Sequence, residues 1–449
     1  MITEVACAHI PATSGNSHNI QASPRTPAPA LLLISIDGLM PNQVIQADSL
    51  GVAVPNLQRL VKEGSFATGV RTVVPSLTYP AHTTILTGVS PAVHGIASNI
   101  TFDPTGANKE GWYWYAKDIR VPTLWDAASR AGLVTANICW PVSVGAHIDY
   151  NLVQYWRAAL PDDAKLYEEL STPQLVDELT SQVGPVPYGA DFSPEADEIR
   201  ASFAEYLLKK KHPSFTTVYL GSLDAVEHRV GPSGPEALRV LERIDLLVGR
   251  LRAAFELRPS ERRSIAVVSD HGFIKYHTEI ELGSLLRERH FIDVGPDNGV
   301  TSWRASAWTA GGTGAIVINR TASAEVRASI ENLVRELRDE PDYGVEAVLA
   351  GREISQLQGF SGADYVIALR PGFKWGRNLL GPVFIHHEGG THGYLPDEPG
   401  MDAAFLIAGQ GVPKFHSLGR IDMRDIAPTL AARLSLSLPR TEGVNLLPP

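Results

Sequence analysis

The chain has 449 residues, 44% hydrophobic and 20% charged, with a formal net charge of −10. Such a length holds one large α/β domain with insertions, or two or three smaller domains, and the apolar content suffices for a core. The acidic balance argues against a nucleic-acid-binding surface, which needs clustered Lys and Arg. No apolar run approaches the roughly 18 residues of a membrane span.

The first thirty or so residues are rich in Ser, Pro, Ala and Asn and lack a charged n-region followed by an apolar h-region. They read as a disordered leader over residues 1–28 and not as a signal peptide, which leaves the compartment open. Cys7 lies in this tail and Cys139 in an apolar strand, so neither a disulfide framework nor a zinc ribbon is expected.

Ala28 to Ile36 is a continuous apolar run ending in Asp37-Gly38, suited to a strand buried on both faces of a parallel sheet. Pro55 to Glu63 reads as a helix and Phe66 to Val74 as a strand. Thr78-Tyr-Pro-Ala-His-Thr-Thr-Ile-Leu-Thr-Gly88 then reads as a short helix, with Pro80 in its first turn and Gly88 as its stop. A threonine at the mouth of a helix faces backbone N–H groups and the positive end of the dipole, where a phosphoryl group is welcome. The competing reading of Thr78 is an ordinary N-cap.

Thr101 to Ile119 is a loop carrying Trp112-Tyr-Trp-Tyr115, followed by a helix over Pro122–Ala131 and a strand over Leu133–Cys139. From Pro141 to about Lys211 the pattern is mostly helical. Phe215–Leu220 is a buried strand running into Asp224, Pro235–Leu257 a long amphipathic helix, and Arg263–Ser269 a strand ending in Asp270-His271-Gly272. Between Ile274 and His387 the elements shorten and glycines multiply, with a β-α-β-like piece from Gly314 to Val348, as expected of an inserted subdomain. The core resumes at Met401–Ala408 and ends in a helix over Met423–Leu434. The alternation of strand and helix predicts a parallel, doubly wound sheet.

Three strands thus lead to aspartates, Asp37, Asp224 and Asp270, and open α/β sheets bind ligands beyond the carboxyl ends of their strands. His228 follows Asp224 by four residues, His271 adjoins Asp270, and His392 sits in the glycine-flanked Gly390-Thr-His-Gly-Tyr394. Carboxylate and imidazole together suit divalent ions, zinc above all. Three Asp, three His and Thr78 are too many for one tetrahedral ion and about right for two. Two-metal sites clamp the attacking and leaving oxygens in phosphoryl transfer.

These segments resemble the nucleotide pyrophosphatase/phosphodiesterase family of the alkaline phosphatase superfamily. The matching motifs are Thr78-Tyr79-Pro80, Thr87-Gly88, His94-Gly95-Ile96 with Asn99, Tyr219 with Asp224, His228 and Gly231-Pro232, Asp270-His271-Gly272, and Gly390-Thr391-His392-Gly393-Tyr394. The resemblance implies an alkaline-phosphatase-like α/β fold, its mostly parallel central sheet flanked by helices. The catalytic core would occupy 29–273 and 388–449, with a smaller subdomain inserted at 274–387.

It further implies two zinc ions, one held by Asp224, His228 and His392, the other by Asp37, Asp270, His271 and the Thr78 oxygen. Thr78 would be the nucleophile and form a phosphothreonine, while Asn99 would hydrogen-bond the phosphate oxygen. Tyr79 and Tyr219 match positions that border the substrate group, often a nucleobase. The implied substrate is a small phosphate diester or anhydride, possible in nucleotide form. A phosphomonoesterase or phosphonoacetate hydrolase would use the same Thr and metals, and a non-catalytic binding module would keep only the fold. Many relatives are exported. Leu77, where many relatives carry Lys, and Leu395-Pro396 after the last motif bear on the substrate more than on the chemistry. A sulfatase is disfavoured, because Thr78 lacks the Cys-x-Pro-x-Arg setting.

Overall fold

A computed structural model describes residues 29–108, 111–160, 162–257 and 262–448. The expected leader over 1–28, with Cys7, lies outside the described residues. An eight-stranded sheet forms the centre, in the order His416–Ser417, Ser65–Phe66, Phe405–Gly409, Arg263–Val268, Ala30–Ile36, Phe215–Leu220, Thr135–Ile138, Tyr150–Leu152. The Ala30–Ile36 strand lies in the middle and pairs in parallel with Phe215–Leu220 and Arg263–Val268. Phe405–Gly409 runs antiparallel to both of its neighbours.

The period-two side-chain alternation of the central strand explains the two cores. Leu32, Ile34 and Ile36 point to one face, where they pack with the Pro194–Lys210 and Pro235–Glu256 helices. Leu31 and Leu33 point to the other, against Ala81, Ile85 and Leu86 of the Thr78–Thr87 helix and against Ile426 and Leu430 of the last helix. The continuous apolar run of the sequence is thus a strand covered on both sides. The segment read as one strand over Phe66–Val74 is instead two short ones, Ser65–Phe66 and Gly69–Arg71, which pair with different partners.

Residues beyond Ile274 form sheets of their own. Ile274–Ile280 pairs with Gly372–Trp375 and, antiparallel, with Phe384–Thr391. A second sheet runs Ala305–Thr309, Thr313–Ile318, Tyr365–Leu369, Val345–Ala350. The β-α-β-like piece is therefore split, with Tyr365–Leu369 inserted between its two strands and antiparallel to both. The Ala324–Asp339 helix covers this sheet through Ile330, Leu333, Val334 and Leu337, in a third hydrophobic cluster. A smaller cluster joins Val74 and Leu77, just before the Thr78 helix, to Ala310, Ala315, Ile354 and Phe360.

Candidate metal centre and active site

The register of the central strands decides what meets at their carboxyl ends. Ile36 lies opposite Leu220 and Ser35 opposite Val268, so Asp37, Gly221 and Asp270 emerge at one edge of the sheet. Asp224 and His228 sit on the Ser222–Val230 helix, four residues apart and hence on one face. His392 arrives at the end of the Phe384–Thr391 strand, which crosses close to that helix. A Cβ on Gly390 would lie 2.2 Å from the Glu227 carbonyl oxygen, and one on Gly393 (φ +84°) 1.4 Å from that of Ala310. The two glycines flanking His392 are what let the strand approach so closely.

Two of the three acidic side chains are half-tied. The Tyr219 hydroxyl donates to Asp37 Oδ2 at 2.6 Å, and the Gly38 N–H donates to Asp270 Oδ1 at 3.2 Å. Asp37 Oδ1, Asp270 Oδ2, Asp224 Oδ1 and both ring nitrogens of His271 are buried without hydrogen-bond partners. Burial and the neighbouring Asp270 and Asp224 carboxylates push the Asp37 carboxyl well above its usual range. Burial acts on Asp270 in the same direction, but the His271 and His82 imidazoles outweigh it and hold Asp270 low. Burial likewise raises Asp224. Unpartnered, buried oxygens of three carboxylates facing one another are costly unless a cation lies between them. The donor set, carboxylate oxygens and imidazole nitrogens, fits a divalent ion of the zinc type.

The histidines are oriented for ligation. His392 Nδ1 donates to the Ser76 carbonyl at 2.9 Å and His228 Nδ1 to the Gly390 carbonyl at 3.1 Å. Because a carbonyl only accepts, these bonds place the ring proton on Nδ1 and leave each Nε2 lone pair turned to Asp224 Oδ1, at 3.8 and 3.5 Å. The His271 and His392 rings stack at 3.7 Å, and Phe273 lies within 5.7 Å of all three imidazoles. Ligand atoms of Asp37, Asp270 and His271 lie within 4.8 Å of one another, as do those of Asp224, His271 and His392. His271 thus offers an atom to both groups. His228 stands outside the tighter grouping, with its side chain 42% exposed.

Thr78 is the first residue of its helix, 8% exposed, with Leu77 in extended conformation at the N-cap position. It is not the N-cap itself, and among the described residues its hydroxyl makes no hydrogen bond. The helix is buried throughout, and its polar side chains turn back on it. Thr83 and Thr87 donate to backbone carbonyls one turn earlier, and His82 bridges the Thr78 carbonyl (2.8 Å) and Ser35 Oγ (2.7 Å). His82 is a strut of the helix.

Asn99 Oδ1 accepts the Tyr79 N–H at 2.9 Å, which leaves its Nδ2 as the donor end beside Thr78. His94 fixes the loop that delivers Asn99. Its Nδ1 accepts the Ile96 N–H at 3.1 Å, and its Nε2 lies 3.1 Å from Thr84 Oγ1. Burial, against one carbonyl, takes its pKa down to about 3, so this imidazole is neutral.

Part of this group opens on a cavity of about 400 Å³. Thr78, Asn99, Asp224, His228 and His392 line it together with Tyr79 and Tyr219, whose rings are almost wholly buried. Trp112, Trp156 and Phe192 add half-buried aromatic surface, and Lys374 and Arg377 add cations. Trp156, Phe192 and Arg377 were not singled out from sequence as site residues. They come from segments without motif or periodicity.

Residues 31–395 match the family model described as type I phosphodiesterase / nucleotide pyrophosphatase. The chain belongs to this family. Human ectonucleotide pyrophosphatase/phosphodiesterase family member 1 is 28% identical over 264 residues, covering 56% of this chain and 24% of that protein. Venom phosphodiesterase of Naja atra is 27% identical over 251 residues, covering 54% of this chain and 26% of its own. The matched stretch is about a quarter of the length of these two relatives.

Among solved structures, human ectonucleotide pyrophosphatase/phosphodiesterase 5 superposes with a TM-score of 0.66 at 20% identity, over 92% of this chain and 97% of that one. The murine counterpart, in an inactive threonine-to-alanine form in complex with AMP, superposes with the same TM-score, identity and coverage. At such identity the likeness establishes the fold, which is alkaline-phosphatase-like with a large, mostly parallel sheet between helices. Among the described residues no helix is long and apolar enough to cross a membrane.

Proposed function

We propose that this protein is a two-metal hydrolase of phosphate diesters or phosphoanhydrides that works through a covalent phosphothreonine on Thr78. One observation carries the reading: unpartnered buried ligand atoms of Asp37, Asp224, Asp270 and His271 converge at the mouth of the Thr78 helix. Asp224, His228 and His392 would hold one ion, and Asp37, Asp270, His271 and the Thr78 oxygen the other, zinc being the ion best suited to these donors. When bound, the two ions would supply the positive charge that favours a threonine alkoxide and a departing oxyanion.

The rest of the chemistry belongs to side chains of this chain. The Thr78 hydroxyl gives up its proton to solvent, and its oxygen forms a bond to phosphorus. The bond from phosphorus to the leaving oxygen breaks, with the electron pair going to that oxygen. A water then adds its oxygen to phosphorus from the vacated side, and the Thr78 oxygen departs and recovers a proton. Asn99 Nδ2 and the backbone N–H at Thr78 meet the non-bridging oxygen as its charge grows. Tyr219 holds Asp37 in orientation through its hydroxyl. Tyr79 packs against Trp112 at 5.2 Å and so backs the aromatic wall instead of presenting a free face.

The same proposal divides the chain into a catalytic core, 29–273 with 388–449, and a subdomain at 274–387 that closes the cavity. The related proteins named above carry pyrophosphatase and phosphodiesterase names, and one is described with AMP bound, which favours a nucleotide substrate.

The test is kinetic. Zinc-loaded protein should hydrolyse bis-p-nitrophenyl phosphate much faster than p-nitrophenyl phosphate, and Thr78→Ala should lose activity by a factor on the order of 10⁴ or more while binding two metal equivalents. A preference for the monoester would replace this reading with a phosphatase. Full activity of the alanine variant would remove Thr78 from the nucleophile role.

A further inference from the structure

The cavity has two unlike walls. The core supplies the metal ligands and the aromatic surface of Trp112, Trp156 and Phe192, whereas residues 279 and 374–378 supply a polar, charged wall. On that wall Lys374 Nζ lies 3.3 Å from Glu279 Oε1 and 4.7 Å from the centre of the Tyr276 ring, so its charge is largely answered. Arg377 differs. Among the described residues no carboxylate comes within ion-pair distance of its guanidinium, and no acceptor is hydrogen-bonded to it.

The backbone that carries Arg377 is nevertheless fixed on both sides. The Gly376 N–H donates to the Ile280 carbonyl at 2.8 Å. The Asn378 N–H and Nδ2 both donate to the buried Glu281 carboxylate, each at 2.6 Å. One residue earlier, the Trp375 N–H donates to the Gly311 carbonyl and its indole N–H to that of Ile367. The Arg377 side chain is exposed where it lines the cavity. A lone guanidinium held on a fixed loop is a receptor for an oxyanion, which it can grip with two parallel N–H donors.

Its position within the cavity indicates which part of the substrate it meets. Glu279 and Lys374 lie on adjacent strands, and the Ile274–Ile280 strand also pairs with Phe384–Thr391, which runs straight into His392. Glu279 itself lies opposite Ile385, far along that strand from His392, but a glycine pair closes the gap: the Gly311 carbonyl accepts the Trp375 N–H, and the Gly312 N–H donates to the His392 carbonyl at 2.9 Å. The charged wall thus borders the Asp224–His228–His392 side of the cavity, and with Thr78 assigned to the other ion the leaving oxygen falls to the ion on this side. We propose that Arg377 is a subsite for a second anionic group carried by the leaving group. The enzyme would thus favour phosphoanhydrides, whose departing half is itself a phosphate or pyrophosphate, over diesters with an uncharged departing alcohol. This inference rests on the proposed function and adds the class of leaving group to it.

The experiment compares two substrates that share the retained nucleotidyl group: a nucleoside 5′-triphosphate, which releases pyrophosphate, and a nucleoside 5′-monophosphate p-nitrophenyl ester, which releases p-nitrophenol. The readout is the ratio of their kcat/KM values in zinc-loaded wild type, Arg377→Gln, Arg377→Glu and Arg377→Lys. The ratio should fall at least tenfold in Arg377→Gln and further in Arg377→Glu, and recover in part in Arg377→Lys. Inhibition by pyrophosphate should weaken in the same order. An unchanged ratio with unchanged pyrophosphate inhibition, in folded variants, would overturn the subsite while leaving the hydrolase reading intact. If wild type turned over neither ester, the hydrolase reading would fall. Calorimetry of pyrophosphate binding to wild type and Arg377→Glu would then decide the subsite alone, with equal affinities overturning it.

Discussion

At the scale of single residues, Asp37, Asp270, His228 and His392 each have one polar atom committed to a hydrogen bond and the other turned to the cluster. His94 shows the same logic outside the metal cluster, and it yields a pH dependence. Its imidazole is neutral in the fold, with a pKa of about 3 against an ordinary 6.5. In the unfolded chain it takes up a proton below pH 6.5 that the folded chain refuses. The stability it contributes is complete above pH 6.5 and is lost as pH falls from there toward 3, by up to about 1.4 kcal/mol per pH unit.

His94→Gln should therefore flatten the decline of the melting temperature between pH 6.5 and 4.5 relative to wild type. Parallel declines in the two proteins would show that the imidazole is not held neutral. Asp37 and Asp270 were legible in the sequence because each directly follows an apolar strand, and His392 because glycines flank it. Asp197 and Arg377 were not legible. Their roles depend on what packs beside them from distant segments, 24 residues away for Asp197 and Gly221.

At the scale of elements, the helix carrying Asp224 and His228 starts at a buried charge. Asp197, on the Pro194–Lys210 helix, accepts the N–H of Gly221 (3.2 Å) and of Ser222 (2.9 Å) and pairs with the buried Arg200 at 2.9 Å. A carboxylate there meets the orphan N–H groups and the positive end of the helix, and so fixes the turn that aims Asp224.

Removing it would also leave the Arg200 guanidinium buried and unanswered, at a cost of roughly 3–5 kcal/mol. Asp197→Asn, which retains an acceptor, should keep the fold with a smaller loss and a weakened affinity for the metal on the Asp224 side. Asp197→Ala should melt markedly lower. Denaturant unfolding with metal titration by calorimetry checks both. Unchanged metal affinity in the asparagine variant would show that Asp197 serves stability alone. The amphipathic pattern of the Pro235–Glu256 helix was plain in the sequence because one face is apolar at a 3.6-residue period. The short strands Ser65–Phe66 and Gly69–Arg71 were merged in the reading, because two and three residues carry no usable periodicity.

At the scale of the whole molecule, elements from both halves of the core bring the candidate ligands to one edge of the sheet, so a bound metal would tie distant segments together. Asp37 and His392 are far apart in sequence and meet only in the folded chain. An ion bound by the folded state and not by the unfolded one stabilises by about 4 kcal/mol when its free concentration is about a thousandfold above Kd. Chelation should accordingly lower the melting temperature by several degrees or more, and added zinc should restore it. A melting curve indifferent to chelation, in protein shown by elemental analysis to have lost its metal, would contradict the cluster as a metal centre. The doubly wound core was readable because strand and helix alternate in the sequence. The region 274–387 was readable only as a change of texture, since its antiparallel pairings join segments that no local pattern links.

The strand pair Ile274–Ile280 and Phe384–Thr391 has a consequence for how such an enzyme diversifies. Thr391 lies opposite Ile274, so in the proposed division the chain would leave the core and return to it at neighbouring points. A segment whose two ends already sit side by side can be exchanged for another without stretching the host or reopening its sheet. On the proposed division, the chemistry would stay with the host and the charged wall would travel with the guest. Substrate range in a lineage built this way can change by replacement of a cassette, in one genetic step, with no ligand of the catalytic centre altered.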